Sequence, residues 1–199
     1  MKLEPQKTSP YIGPRPFEKE DKEIFFGRDR ETDDIFSLII AHQTLLVYAQ
    51  SGAGKTSLIN AGIIPLLEAE GFEVFPLVRV RGMIPEDIEP QKIHNIYALS
   101  ALMSWGAENI APDQISQMSI PDFLKGKKHL ADKDGNELPR ILIFDQFEEL
   151  FAFYPERWKE REGFLLQIAD SIEADAFLRI VFVIREDYLS DLIAYADLL

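Results

Sequence analysis

The stretch Ala49-Gln-Ser-Gly-Ala-Gly-Lys-Thr-Ser57 follows an apolar run, Thr44-Leu-Leu-Val-Tyr48, and leads into a helical pattern from Leu58 to Leu67. A strand, a glycine-rich turn and a helix N-terminus form the context in which a phosphate-binding P-loop works. Gly52 and Gly54 lack side chains, so the backbone can curl and aim its N–H groups at phosphate oxygens. The positive end of the helix dipole adds to that attraction. The candidate nucleotide-binding residues here are therefore Ser51, Gly52, Ala53, Gly54, Lys55, Thr56 and Ser57. Lys55 is placed to reach the β- and γ-phosphates, and Thr56 to offer its hydroxyl to Mg²⁺. Ala49 stands where the strict motif has its first glycine.

The chain has 199 residues, enough for one sizeable domain, and its 46% hydrophobic content predicts a buried core. Its formal charge of −13 argues against a surface built to hold nucleic acid or an anionic membrane. The absence of cysteine excludes disulfides and thiolate metal sites and fits a reducing compartment. No apolar run approaches the ~20 residues needed to span a bilayer. The first residues, Met1-Lys-Leu-Glu-Pro5, lack the apolar core of a secretory signal, so a cytoplasmic location is expected.

Pro5, Pro10, Pro14 and Pro16 predict an extended lead-in over residues 1–16, ahead of a domain over 17–199. Asp29 is a fair N-cap, with Ile35, Leu38, Ile39 and His42 on one helical face. Pro65 should kink or restart the helix after the P-loop, and Gly71 should stop it. Phe72 to Val80 reads as a second strand. Residues 82–138 read as an insertion, with a helix near 91–107, a short helix after Ser119-Ile-Pro121 and a turn at Asp134-Gly135.

Arg140-Ile-Leu-Ile-Phe144 and Leu178-Arg-Ile-Val-Phe-Val-Ile184 are apolar runs of the kind buried on both faces of a parallel sheet. Between them Pro155 opens a helix carrying Leu165, Ile168 and Ile172, and an amphipathic segment follows Glu186. The alternation predicts an α/β fold with a mostly parallel sheet covered on both sides. The apolar helical pattern is still running at Leu199, so the chain is expected to be the N-terminal piece of something longer, with the domain truncated at its C-terminus.

A P-loop needs a second acidic site for Mg²⁺ and the attacking water, and Ile141-Leu-Ile-Phe-Asp145-Gln-Phe-Glu-Glu149 supplies it. An acid at the C-terminal end of a buried strand lies at the sheet edge where ligands bind. Asp145 is the candidate metal residue, alongside Thr56. The residue after it is Gln146, which cannot accept a proton, so Glu148 and Glu149 are the candidates for the base that activates water, with Glu149 preferred. Arg185, at the end of its own strand, is placed to sense or stabilise the γ-phosphate. His42, His94 and His129 are scattered without metal-ligand spacing. Lys125, Lys127 and Lys128 read as a solvated loop.

Pro10-Tyr-Ile-Gly-Pro-Arg-Pro-Phe17, Ile24-Phe-Phe-Gly-Arg-Asp-Arg-Glu31, the P-loop through Leu67, Asp145-Gln-Phe-Glu-Glu-Leu-Phe151 and Ile184-Arg-Glu-Asp-Tyr-Leu189 occur in that order. Together they resemble the NTPase domain of the novel STAND group of signal-transducing P-loop ATPases, relatives of the NACHT and apoptotic ATPases. The resemblance implies a three-layer P-loop fold of the ASCE class and a slow ATP-driven switch using ATP or ADP with Mg²⁺. It places Phe26, Gly27 and Arg28 near the adenine and puts Arg185 at the family's sensor position. It implies self-association on activation, and sensor and effector domains outside this chain. Two other readings remain open at this point: a module that holds nucleotide without hydrolysing it, and an AAA+-type DNA-loading ATPase.

Overall fold

The computed structural model describes residues 12–81, 84–107 and 109–198. Most of the expected lead-in, residues 1–11, lies outside the described residues, as does Leu199. Four strands, β1 (Thr44–Ala49), β2 (Glu73–Val74), β3 (Arg140–Phe144) and β4 (Leu178–Arg185), form one sheet in the order β1-β4-β3-β2. Every pairing is parallel. β4 thus separates the P-loop strand from the acidic strand, and β1 lies at an edge.

Alternate strand residues face opposite layers, as the two-residue repeat of a strand requires. Ile141, Ile143, Val181 and Val183 pack against α1 (Asp29–Ala41) and the helical run after the P-loop. Leu142, Phe144, Ile180, Phe182 and Ile184 face the other way, toward α4 (Ile96–Ser104), α5 (Pro112–Ile115), α6 (Ile120–Gly126) and α8 (Glu160–Ala174). The segment read as an insertion therefore supplies much of one covering layer, with Tyr97, Leu102 and Trp105 among its buried residues. Helix α7 (Glu149–Ala152) follows β3, and α9 (Leu189–Ile193) follows β4.

The P-loop helix is composite. It begins as α2 (Lys55–Ser57), widens to a π-helical segment (Leu58–Ile63) and resumes as α3 (Ile64–Ala69), with Pro65 in its first turn, where a missing N–H costs little. Gly62 faces α1: a Cβ there would stand 2.7 Å from Thr32 Oγ1, so a larger residue would force the Thr32 side chain to shift. Gly71, at φ 84, follows the helix end as expected.

Four local readings are corrected. The buried face of α1 is Ile35, Phe36 and Ile39, whereas Leu38 is 43% exposed and His42 lies outside, because the helix is rotated so that Phe36 meets Phe72. Asp29 is the first helical residue and Arg28 occupies the cap. The second strand is two residues long: Glu73 N donates to Pro139 O and Phe75 N to Ile141 O, and the ladder then slips by one residue across Pro76-Leu77 before Val78 N donates to Ile143 O at 2.9 Å. Beyond that proline, Val78 rejoins β3 through a bridge to Phe144. The helix expected near 91–107 runs over Ile96–Ser104, started by Asn95, whose Oδ1 accepts from Tyr97 N and Ala98 N.

Phe144 is the centre of the larger core, fully buried, with Phe182 stacked at 5.5 Å and Trp105, Phe147 and Phe164 within about 6 Å. Phe144→Ala should cost about 3–5 kcal/mol, a large share of a domain's net stability. Leu166→Ala, at a position 42% exposed, should stay within about 0.5 kcal/mol. Urea denaturation of both variants checks the contrast.

Candidate functional site

β1 ends at Ala49, which pairs in register with Arg185 at the end of β4. Ala49 is therefore ordinary strand, without positive φ, which explains why the loop does not require glycine there. Gly52 and Gly54 do have positive φ, 77 and 81, the left-handed region where a side chain is strained. Lys55 folds back over the loop, its Nζ donating to Ala49 O at 2.9 Å and to Gln50 O at 3.0 Å. The ammonium is thus held above the loop by two carbonyls that a phosphate could replace as partners.

Thr56, one residue into the helix, donates from Oγ1 to Asp145 Oδ2 at 2.9 Å. Asp145 is only 1% exposed and its backbone N–H donates to Val78 O at 2.9 Å, so the carboxylate is fixed at the end of β3. These two residues, 89 apart in sequence, present a hydroxyl and a carboxylate together. Hard oxygen donors of this kind suit Mg²⁺, which takes few protein ligands and completes its shell with water and phosphate oxygens. Among the described residues no group of three or more His, Cys, Asp or Glu is placed to hold a metal ion.

Gln146 turns the chain through φ 51, left-handed for a residue with a side chain. The turn drops Phe147 into the core, where its N–H donates to Val183 O at 2.9 Å, and starts α7 at Glu149. From Gln146 a turn closed by Glu149 N donating to Gln146 O at 2.9 Å leads directly into α7.

Glu148 and Glu149 have different environments. Glu148 Oε2 accepts the backbone N–H of Arg185 at 3.2 Å, bracing the end of β4. Glu149 is 5% exposed, with Oε1 paired to Arg81 Nε at 3.3 Å and Oε2 buried without a hydrogen-bond partner. With the Gln146 amide oriented to suit its neighbours, its nitrogen donates to Glu149 Oε1 at 3.2 Å and its oxygen accepts from Arg79 at 2.9 Å. Burial pushes the Glu149 carboxyl above the usual carboxylate range; Arg81 and Arg79 pull it back, while Glu148 and Asp145 add to the push.

Arg79 and Arg81 were not among the residues singled out by sequence. Arg79 reaches within 3.9 Å of Asp145 Oδ2. The alternation Val78-Arg79-Val80-Arg81, at the C-terminal end of a strand, was the available signal: Val78 and Val80 are buried, leaving both arginines to the ligand edge.

Arg185 does not reach the P-loop. Its guanidinium holds Asp187 at 3.1 and 2.6 Å and lies over the Tyr188 ring at 5.5 Å. Arg28 does reach it, donating to Ala53 O at 3.0 Å and to Glu31 Oε1 at 2.9 Å. Phe26 is 74% exposed and Gly27 takes φ 80. Together with Phe17, Ile24, Phe25, Gly54 and Ser57, Phe26 and Arg28 line a cleft of about 390 Å³ beside the P-loop. The Ser57 hydroxyl accepts from Phe17 N at 3.1 Å.

His129, Asp132 and Lys127 have structural partners. His129 Nε2 pairs with Asp175 at 3.1 Å, and Asp132 caps its own turn, accepting from Asp134 N and Asn136 N. Lys127 donates to Trp105 O and lies over Phe123, so part of the basic run belongs to the core. No helix among the described residues is long and apolar enough to cross a membrane.

Comparison with solved structures agrees on the fold. The Walker-type ATPase PABY2304 of Pyrococcus abyssi is similar at TM-score 0.60 and 14% identity, over 93% of this chain and 51% of that one. The ORC2 protein of Aeropyrum pernix, described in ADPNP–ADP complexes, is similar at TM-score 0.50 and 16% identity, over 85% of this chain and 45% of that one. The chain thus spans about half the length of these proteins. No curated protein matches it. The strand order, the glycine-rich loop on Lys55 and the Thr56–Asp145 contact make this a P-loop nucleotide-binding module, and the match of the family described as Novel STAND NTPase 1 over residues 10–199 shows that the chain belongs to that family.

Proposed function

We propose that this chain is the nucleotide-binding core of a STAND-type switch that binds ATP with Mg²⁺ and hydrolyses it slowly. The observation that carries the reading is the Thr56 Oγ1–Asp145 Oδ2 hydrogen bond, which brings the P-loop helix and the acidic strand to one point. The P-loop backbone and Lys55 bind the phosphates, and the cleft lined by Phe26 and Arg28, on either side of Gly27, takes the base. Thr56 and Asp145 hold Mg²⁺, which neutralises phosphate charge when bound. Glu149 is the base toward water: its Oε2 is a buried acceptor with no protein partner, and such an atom wants a donor. Glu148 braces β4, and Arg185 leaves Asp187 to meet the γ-phosphate when nucleotide is present.

In this reading residues 17–199 belong to the NTPase domain, preceded by a lead-in over 1–16 and carrying an insertion over 82–138. The protein that contains it self-associates on activation and carries sensor and effector domains elsewhere, in the cytoplasm. A second reading, nucleotide held without turnover, is favoured by one observation: Gln146 directly follows Asp145, and its amide is tied to Arg79 and Glu149. No observation favours DNA loading, given the net charge of −13.

Lys55→Ala should abolish or greatly weaken Mg-nucleotide binding with the fold intact, measured by calorimetric titration with ATP and ADP; unchanged affinity would sink the assignment. Asp145→Asn should weaken the Mg²⁺ dependence of binding more than binding itself, because base and sugar are held elsewhere. The check is affinity measured across a Mg²⁺ series. In the intact protein, Glu149→Gln should retain ATP but slow single-turnover hydrolysis roughly a hundredfold or more, whereas Glu148→Gln, which keeps a carbonyl acceptor for Arg185 N–H, should stay near wild type. Retention of nucleotide by both variants with no hydrolysis in the unmodified protein would select the second reading.

A further inference from the structure

The segment after β2 approaches the acidic strand with an arginine on every second residue. Its register is fixed, because Val78 bridges Phe144 and accepts the Asp145 N–H at 2.9 Å. Val78 and Val80 fill the core, so Arg79 and Arg81 share the opposite face. They divide the acids between them: Arg79 approaches Asp145 and Gln146, whereas Arg81 pairs with Glu149 at 3.3 Å.

Arg81 is itself located by the chain that leaves α7. Its guanidinium carbon lies 5.1 Å from the centre of the Phe153 ring. Its carbonyl accepts from the Tyr154 hydroxyl at 3.4 Å. Glu149, Phe153 and Tyr154 therefore grip one arginine from a single short helix and its exit. A half-exposed guanidinium with two such side-chain contacts, on a backbone that Tyr154 also ties, is held more firmly than a surface ion pair, whose geometry is usually loose.

The grip has a consequence for the two Glu149 oxygens. Oε1 faces Arg81 and the Gln146 amide, while Oε2 is buried and unpartnered. A carboxylate with one oxygen occupied and its orientation fixed offers the other as an acceptor at a defined place. Nothing else among the described residues pairs with this side chain by charge at so short a distance; Arg79 acts on it across Gln146.

We infer that Arg81 is the positioning residue for Glu149, holding its Oε1 so that Oε2 is presented to the attacking water. This rests on the reading of Glu149 as the base. Arg81 touches neither nucleotide nor water in this role, so its loss should act on the hydrolytic step and leave binding alone. The segment Arg79-Val-Arg81 thereby becomes a third part of the site, beside the P-loop and the acidic strand, and one through which movement of β2 would alter turnover.

The test uses the intact protein, with ATP affinity and single-turnover hydrolysis measured side by side. Arg81→Ala should slow hydrolysis about tenfold or more with affinity within about twofold of wild type, and Arg81→Lys, which keeps the charge, should recover most of the rate. If Arg81→Ala hydrolyses at the wild-type rate or faster while Glu149→Gln is inactive, the inference is overturned and the base assignment stands. If Glu149→Gln hydrolyses normally, the base assignment itself fails. Equal losses of affinity and rate in Arg81→Ala, unrelieved by lysine, would make Arg81 a structural residue only. Should Arg81→Ala not fold, Phe153→Leu loosens the arginine without removing it: a slower step at unchanged affinity supports the inference, and an unchanged rate overturns it.

Discussion

One hydrogen bond, from the Thr56 hydroxyl to the Asp145 carboxylate, joins the two halves of the site, and the sheet exists in the form that allows it. Parallel strands put their C-terminal ends on one edge, so the loop after β1 and the acid after β3 emerge on the same side. Inserting β4 between them sets their spacing and brings Arg185 level with Ala49. The two apolar layers hold that order in place. Because both faces of β3 are covered, Asp145 leaves the sheet from a strand with no freedom to shift, and its buried carboxylate must find donors, which Thr56 supplies with Arg79 nearby.

The turn after Asp145 is where packing and chemistry meet. Gln146 adopts a left-handed conformation that costs of order 1 kcal/mol or more for a residue with a side chain. The cost is offset by Phe147, which enters a cluster with Phe144, Phe164 and Phe182. The same reversal points Glu149 into a buried position facing Arg81 and leaves Glu148 to brace β4. Two adjacent carboxylates thus acquire different work from their surroundings alone. One accepts a backbone N–H and is partly solvated; the other is desolvated and answered by two arginines from the segment after β2.

The fold was legible in the chain because its signals are local and strong. Two apolar runs without alternation required a doubly covered parallel sheet, and glycines at 52 and 54 ahead of Lys55 required a tight loop into a helix. Prolines and glycines at 65 and 71 marked the helix breaks where they were found. What failed was rotation and length. The face of α1 depends on Phe72, 36 residues from Phe36, and no periodicity distinguishes Leu38 from Phe36 as the buried residue. The second strand is short because the ladder to β3 slips by one residue between Phe75 and Val78, a shift that no run of β-branched and aromatic residues announces.

The site divides in the same way. Residue types within a few positions of each other carry the information for the P-loop, for the acid at a strand end and for two candidate bases beside it. These are matters of backbone conformation and sequence spacing, which the chain encodes directly. Arg79 and Arg81 could not be assigned so, since an arginine acquires a role only from what folding sets opposite it, and their partners lie more than sixty residues away. The same is true of the difference between Glu148 and Glu149 and of the pairing of Arg185 with Asp187 instead of the P-loop. Charge and hydrogen-bonding capacity are written in the sequence; distance and desolvation, which turn them into function, arise only when the strands assemble.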